Sequence, residues 1–162
     1  FCRYARDMRP FPEGPNVDLA GDNASYARAL LERVRDAYRE GFWEPVAHRR
    51  LAEEGVTLWQ TPALLVRQGR SAGARAFTAQ RFAHGRLYGH QRGRRFGRAR
   101  NLLGVVAAPA VPLLMTWRVL ARVQAKGRYR GRALLALTGI VWFKAVWAIA
   151  EALGHLDMVR AR

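Results

Sequence analysis

Apolar residues recur three or four positions apart early in the chain, a spacing typical of helices that bury one face. Residues 26–38 follow this pattern. Asp22 or Asn23 is suited to cap the start of this helix, because short polar side chains accept hydrogen bonds from its first N–H groups. Gly41 is predicted to end the helix, and the proline-rich residues 1–19 to form a loop and a strand end.

A second helix and two strands are predicted next. Pro45 suits the first turn of a helix that spans residues 44–55, and Gly55 suits its end. Residues 56–60 and 63–66 then have the composition and length of strands. The first part of the chain is therefore predicted to be helical with a short β pair.

The rest of the chain is dominated by two apolar runs. Residues 101–117 carry no charge, and residues 133–153 are apolar except for Thr138, Lys144 and Glu151. A membrane-spanning helix needs roughly 20 predominantly apolar residues. The second run reaches that length and is the better candidate to cross a membrane.

The charged and helix-breaking residues in these runs qualify the prediction. Pro109 and Pro112 favour a bend, and a crossing by this run would put its flanking basic clusters on opposite sides of the bilayer. The first run is therefore predicted to dip into the membrane and return, or to lie in the interface. Lys144 and Glu151 share one helix face, where we expect them to solvate each other or a neighbouring helix.

The segment before the apolar runs is basic and rich in glycine. Residues 74–90 mix arginines with apolar side chains, as helices on a membrane surface do. Four glycines at four-residue spacing lie among arginines. We interpret them as part of a surface loop rather than as a helix-packing face: Gly85, Gly89, Gly93 and Gly97.

Charge divides the chain into two unlike parts. The formal net charge is +16, and all but two of the 28 basic residues are arginine. Residues 1–70 are nearly balanced, whereas residues 71–162 contain only Glu151 and Asp157 as acids. A basic half indicates a polyanionic partner. The apolar runs beside the basic clusters favour anionic membrane lipid over nucleic acid.

Several classes of protein are excluded by composition. Half of the residues are hydrophobic, which is too many for a disordered chain, and the single Cys2 excludes an intrachain disulfide framework. The four histidines lack the spacing of metal ligands, so no metal site is predicted. The chain starts at Phe1 without a signal peptide, and we expect it to begin inside a longer protein.

Two short polar groups are candidates for chemistry. Asp22 and Asn23 follow Gly21 at a predicted helix start, where they either bind a polar ligand or serve as an ordinary cap. Glu44 follows Trp43 at the next helix start. Its carboxylate is either poised as a base or placed there by the helix dipole.

The order of these groups resembles a known enzyme family. L-A-G-D-N-A-S-Y-A-R is followed by G-F-W-E-x-x-x-H-R-R-L-x-x-x-G, by a predicted strand pair and by Q-R-F-x-H-G-R-x-Y-G. This set, over residues from about 15 to 100, resembles the C-terminal half of family-2 glycosyltransferases. Those are inverting enzymes of GT-A fold that use nucleotide- or lipid-phosphate-activated sugars.

The resemblance implies roles for individual residues. Gly21, Asp22 and Asn23 occupy the places that shape the sugar site in the family. The family's Glu-Asp base motif falls on Trp43 and Glu44, so Glu44 is implied as the general base that deprotonates the acceptor hydroxyl. Three residues either face the diphosphate leaving group, as the resemblance implies, or are cations that face solvent or lipid: Arg81, His84 and Arg86.

The resemblance also implies an organisation. The expected fold is mainly α with a short β pair, as the C-terminal fragment of an α/β GT-A domain followed by amphipathic and membrane helices. Residues 1–73 would be the acceptor-side part, residues 74–100 a basic amphipathic interface segment, and residues 101–162 membrane-associated helices. The catalytic part is expected at the cytoplasmic face of the cell membrane, acting on an activated sugar donor and a glycan or lipid acceptor.

One part of the family pattern is missing. The sequence contains no Asp-x-Asp motif, through which the full enzyme would bind Mg²⁺ or Mn²⁺. The chain alone is therefore expected to bind no cofactor and to be inactive. Two alternatives are a non-catalytic basic membrane-anchoring protein and a nucleic-acid-binding protein that uses the arginines of residues 86–100.

Overall fold

The computed structural model describes residues 5, 9–17, 19, 23–38, 44–64, 66 and 73–161. The chain divides into a small unit, Asp7–Gly69, and a helical unit, Phe1–Arg6 with Arg70–Arg162. The described residues are mainly helical with one two-stranded antiparallel sheet, so the prediction of a mainly α chain with a short β pair is confirmed.

The elements follow one another in a simple order. In the small unit they are β1 (Gly14–Pro15), α1 (Arg28–Arg33), a 3-10 helix (Arg35–Tyr38), α2 (Glu44–Glu53) and β2 (Trp59–Gln60). In the helical unit they are α3 (Ala74–Arg94), α4 (Arg98–Ala107), a 3-10 helix (Ala108–Ala110), α5 (Val111–Lys126), α6 (Arg130–Leu135) and α7 (Leu137–Arg160).

Helix α2 begins and ends where the sequence predicts. Gly55 takes a left-handed conformation with φ of +77°, which glycine adopts without a steric penalty. Its N–H donates to the Ala52 carbonyl (3.0 Å), and the Val56 N–H donates to the Leu51 carbonyl (2.9 Å). These two bonds form a Schellman motif, which satisfies carbonyls that the helix end would otherwise leave without partners.

The core of the small unit lies between α1, α2 and β2. Val34, Leu51 and Leu58 are buried at its centre. The same core explains why residues 26–38 are not one helix. Tyr26 packs against the core and bonds to the side chain of His48, and the next residue, Ala27, is extended, so that α1 begins only at Arg28. Partly buried side chains complete the core: Leu19, Tyr26, Leu30, Tyr38 and Val56.

The predicted strand pairing is wrong. β2 lies within the predicted strand 56–60, but it pairs with β1, in the segment predicted as loop and strand end. No strand forms among the described residues of 63–66. Pro62 has no N–H to donate, and the Ala63 N–H donates to the Thr61 hydroxyl at 3.2 Å, which closes a turn there.

The long helices of the helical unit run alternately up and down. Contacts between α3 and α7 advance in step along both helices, from Thr78 and Trp142 to Gly93 and Met158, so the two helices are parallel. Gly104 on α4 meets α7 near its C-terminal end, and Val123 on α5 packs near its start. The segment formed by α4 and α5 is therefore antiparallel to α7.

The first three of the four spaced glycines mark a packing face, so for them the prediction of a surface loop is wrong. Gly85, Gly89 and Gly93 lie within α3 and are buried. A Cβ atom at Gly85 would stand 2.7 Å from the Trp147 carbonyl oxygen, and one at Gly89 would overlap the Glu151 carbonyl. Glycine therefore allows α3 to approach the backbone of α7. Gly97, by contrast, precedes α4 in open space.

Two helical segments are long and apolar enough to cross a membrane: Arg98–Lys126 with 29 residues, and Leu137–Arg160 with 24. The segment Arg98–Lys126 consists of α4, the 3-10 helix at Ala108–Ala110 and α5. Pro109 lies in the 3-10 helix and Pro112 in the first turn of α5, where prolines are tolerated. The chain does not reverse direction here, so the alternative in which this run dips in and returns is wrong, whereas a position in the interface stays a prediction.

Candidate functional site

Glu44 is the first residue of α2 and is partly buried. The same face of this helix is fixed in the core further along, because Ala47, His48 and Leu51, at three, four and seven positions after Glu44, are buried. A carboxylate at a helix N-terminus is stabilised by the positive end of the helix dipole. The helix therefore holds one negatively charged proton acceptor at a defined end. Trp43, the neighbour implied by the family motif, lies outside the described residues.

His48 is fixed by two hydrogen bonds. The Leu19 N–H donates to its Nδ1 at 3.3 Å, so the neutral ring carries its proton on Nε2. The Tyr26 hydroxyl lies 2.5 Å from Nε2 and accepts this proton's hydrogen bond. His48 is thus a buried structural residue that ties α2 to the chain before α1.

Of the three residues predicted to shape the sugar site, only Asn23 is among those that the structure describes. Its Nδ2 donates to the Leu64 carbonyl at 3.4 Å instead of capping α1, whose N-cap residue is Ala27. Gly21 and Asp22 lie outside the described residues. Asn23 also lines a cavity of about 80 Å³, well below the ~300 Å³ of a typical small-molecule site.

Glu44 does not line this cavity. The lining residues are Phe11, Leu19, Asn23, Ala24, Ser25, Trp59, Gln60, Thr61 and Leu64. A pocket shared by Glu44, Gly21, Asp22 and Asn23 therefore stays a prediction.

The three residues implied to face a diphosphate all lie on α3, in the helical unit. The Arg81 guanidinium lies 4.9 Å from the Phe77 ring centroid and 3.5 Å from Nδ1 of His84. Arg86 donates to a carboxylate oxygen of Asp157 on α7 from both Nε (3.1 Å) and Nη2 (3.0 Å). These contacts give Arg81 and Arg86 structural roles, and a role toward a diphosphate stays a prediction.

A polar cluster that the sequence did not reveal connects α3, α4 and α7. It consists of Arg92, Asn101, Glu151 and His155. Asn101 is fully buried and His155 almost so. The Asn101 Nδ2 donates to the carbonyls of Gly93 (3.1 Å) and Phe96 (3.3 Å), which joins the end of α3 to α4. Because this amide nitrogen is the donor, its oxygen Oδ1 accepts from Nδ1 of His155 at 2.9 Å.

Glu151 binds groups from two helices. Its Oε1 accepts from Arg92 Nη1 on α3 at 3.3 Å, and its Oε2 accepts from Trp147 Nε1 at 3.2 Å. The expectation that a neighbouring helix solvates this carboxylate is confirmed. The sequence offered one signal for the cluster: Glu151 and Asp157 are the only acids of residues 71–162, and both pair with arginines of α3.

Replacement of Asn101 by leucine is expected to destabilise the helical unit by about 2 kcal/mol. Leucine has a similar size but leaves the buried Gly93 carbonyl, the partly buried Phe96 carbonyl and the His155 N–H without their partner. The thermal unfolding midpoint of the chain in detergent, followed by near-UV circular dichroism, measures the effect. Gln124→Leu, at an exposed position of α5, is the control. Equal midpoints for both variants would contradict a structural role of the cluster.

The described residues contain no group of three or more His, Cys, Asp or Glu side chains that could hold a metal ion. The metal implied by the family resemblance would bind through an Asp-x-Asp motif, which this sequence does not contain. Comparison with protein-family models, curated proteins and solved structures gives no match to this chain.

Proposed function

We propose that this chain is the acceptor-side, membrane-attached part of an inverting glycosyltransferase. The enzyme would transfer a sugar from a nucleotide- or lipid-phosphate-linked donor to a hydroxyl of a glycan or lipid. The observation that carries the proposal is the position of Glu44. The motif that contains it folds into α2 with the carboxylate at the first residue, while His48 and Leu51 of the same motif fix the helix in the core.

This placement suits a general base. In an inverting transfer, a base takes the proton of the acceptor hydroxyl as its oxygen attacks the anomeric carbon, and the phosphate leaving group departs from the opposite face. Glu44 would accept that proton. A base on a rigid helix keeps its position between turnovers, which favours the correct geometry for attack.

The exposed surface of the helical unit supports attachment to a membrane. Only 11% of the most apolar 18-residue stretch of Arg98–Lys126 is buried, and only 22% of that of Leu137–Arg160. The core helix of a water-soluble protein would be mostly buried, whereas large exposed apolar surfaces indicate contact with lipid or another protein. Large apolar side chains are exposed along both segments: Leu102, Leu103, Val106, Leu113, Leu114, Trp117, Val141, Trp142, Ile149 and Leu153.

The test uses membranes from cells that make the natural protein containing this chain, and from cells that lack it. After an alkaline carbonate wash, the membranes are incubated with radiolabelled UDP-, GDP- and dTDP-hexoses and with polyprenyl-phosphate hexoses. We expect the protein to remain in the pellet and label to enter a glycan or lipid only when the protein is present.

Two results would overturn parts of the proposal. Release of the protein by the wash would remove the membrane attachment. Retention in the pellet, with no protein-dependent incorporation from any donor, would favour the non-catalytic membrane-anchoring alternative.

A further inference from the structure

A groove of about 270 Å³ opens between α3, α4 and α7. Arg92 and Arg100 stand at one end of it, near the end of α3 and the start of α4. Beyond them the walls are made mostly of small apolar residues. They are Leu103, Gly104, Ala107, Ala108, Val111, Ala148 and Ala152, with Phe96, Glu151 and His155 beside the arginines.

The length of the groove matches one leaflet of a bilayer. Arg100 and Val111 are eleven positions apart along one helical segment, which corresponds to about 16 Å at the rise of an α-helix. The hydrocarbon core of a bilayer is about 30 Å thick. If Arg100 lies at the level of the headgroups, the apolar part of the groove reaches the middle of the bilayer.

The charge at the mouth of the groove is positive. Among the described residues that line it, Glu151 is the only carboxylate, and it already accepts hydrogen bonds from Arg92 and Trp147. The Arg100 guanidinium lies 4.0 Å from the centroid of the Phe96 ring. Stacking on the ring occupies the flat face of a guanidinium and leaves its N–H groups directed sideways, as bidentate phosphate binding requires.

We propose that this groove binds one membrane lipid, with its phosphate headgroup at Arg100 and Arg92 and an acyl chain against the alanine-lined wall. The combination of a cationic mouth and an apolar groove one leaflet deep fits a lipid better than a free anion. The inference rests on the membrane attachment proposed above and does not depend on sugar transfer.

The binding test uses the purified full chain in detergent, with phosphatidylglycerol as the probe and native mass spectrometry as the readout. Diacylglycerol has the tail without the phosphate, and inorganic phosphate is the headgroup without the tail. We expect one phosphatidylglycerol per chain, no retained diacylglycerol, and no displacement of the lipid by millimolar phosphate. Equal retention of diacylglycerol, or displacement by phosphate alone, would overturn the proposal.

Two pairs of variants locate the site. Arg100→Gln is expected to weaken phosphatidylglycerol binding about tenfold, because it removes a charge-assisted contact. Arg98→Gln, an exposed arginine of the same helix outside the groove, is the control. Ala152→Leu fills the groove from α7 and is expected to prevent binding, whereas Ala110→Leu, exposed and outside the groove, leaves it unchanged.

Equal binding by both members of either pair would overturn the assignment of the lipid to this groove. The assay contains no sugar donor. A chain that binds the lipid but supports no sugar transfer would therefore retain this inference and lose only the proposed enzyme activity.

Discussion

Replacement of Glu44 by glutamine is expected to slow sugar transfer by the natural protein about 100- to 10,000-fold, the usual contribution of a general base. Glutamine has nearly the shape of glutamate but cannot accept a proton. Glu44 is the first residue of α2, on the same face as the buried Ala47 and His48, but it is only partly buried, and a side chain of the same size fits there without a change in packing. The substitution is therefore expected to leave the fold intact. Initial rates in membrane preparations, with the protein amount matched by immunoblot, measure the effect.

Glu53→Gln is the matched control, because Glu53 is an exposed carboxylate at the other end of the same helix. We expect this variant to retain the full rate. Glu44→Asp keeps the carboxylate and moves it by one methylene, so partial activity is expected. Wild-type turnover by Glu44→Gln would remove Glu44 from the mechanism, even if the protein proves to be a transferase.

Replacement of Gly89 by alanine is expected to destabilise the helical unit by about 3 kcal/mol. In an exposed helix the same change would be favourable, since alanine is the better helix former by about 1 kcal/mol. Here the added methyl group meets the backbone of Glu151, which cannot move without separating α3 from α7. Thermal and denaturant unfolding of the chain in detergent would show a lower midpoint.

Gly139→Ala provides a control of opposite sign. Gly139 lies inside α7 with open space around the position of a Cβ atom, so its replacement is expected to raise stability by up to about 1 kcal/mol. A rise in midpoint for both variants would show that α3 and α7 do not pack through Gly89 in solution.

The parts of the fold that the sequence predicted depend on local signals. The end of α2 at Gly55 can be predicted from the sequence, because the left-handed conformation of Gly55 and the two bonds of the Schellman motif involve neighbouring residues only. The start of α1 depends instead on His48, which binds Tyr26 from 22 positions away. The pairing of β2 with β1 also depends on residues that are distant in the sequence. The side chains of Asn16 and Gln60, which hydrogen-bond to each other, are 44 positions apart.

The same distinction applies to the candidate sites. Glu44 was located correctly at a helix start because Pro45 and the following apolar spacing are local features. The polar cluster has no sequence signature, because Asn101 and His155 are 54 positions apart and neither stands in a recognisable motif. The packing role of the glycines of α3 cannot be predicted from the neighbouring arginines, because the acidic partners of those arginines lie on α7, about 60 to 70 positions later.

The parallel pairing of α3 with α7 sets an order for biosynthesis. The sequence has no acidic residue between Glu54 and Glu151, so Arg86 and Arg92 leave the ribosome long before their partners are made. Translation must proceed almost to the end of these 162 residues before α3 meets the helix it packs against. A nascent chain truncated before residue 151 therefore presents α3 as a cationic segment without the carboxylates of Glu151 and Asp157, so the pairing of α3 with α7 has to follow the synthesis of α7.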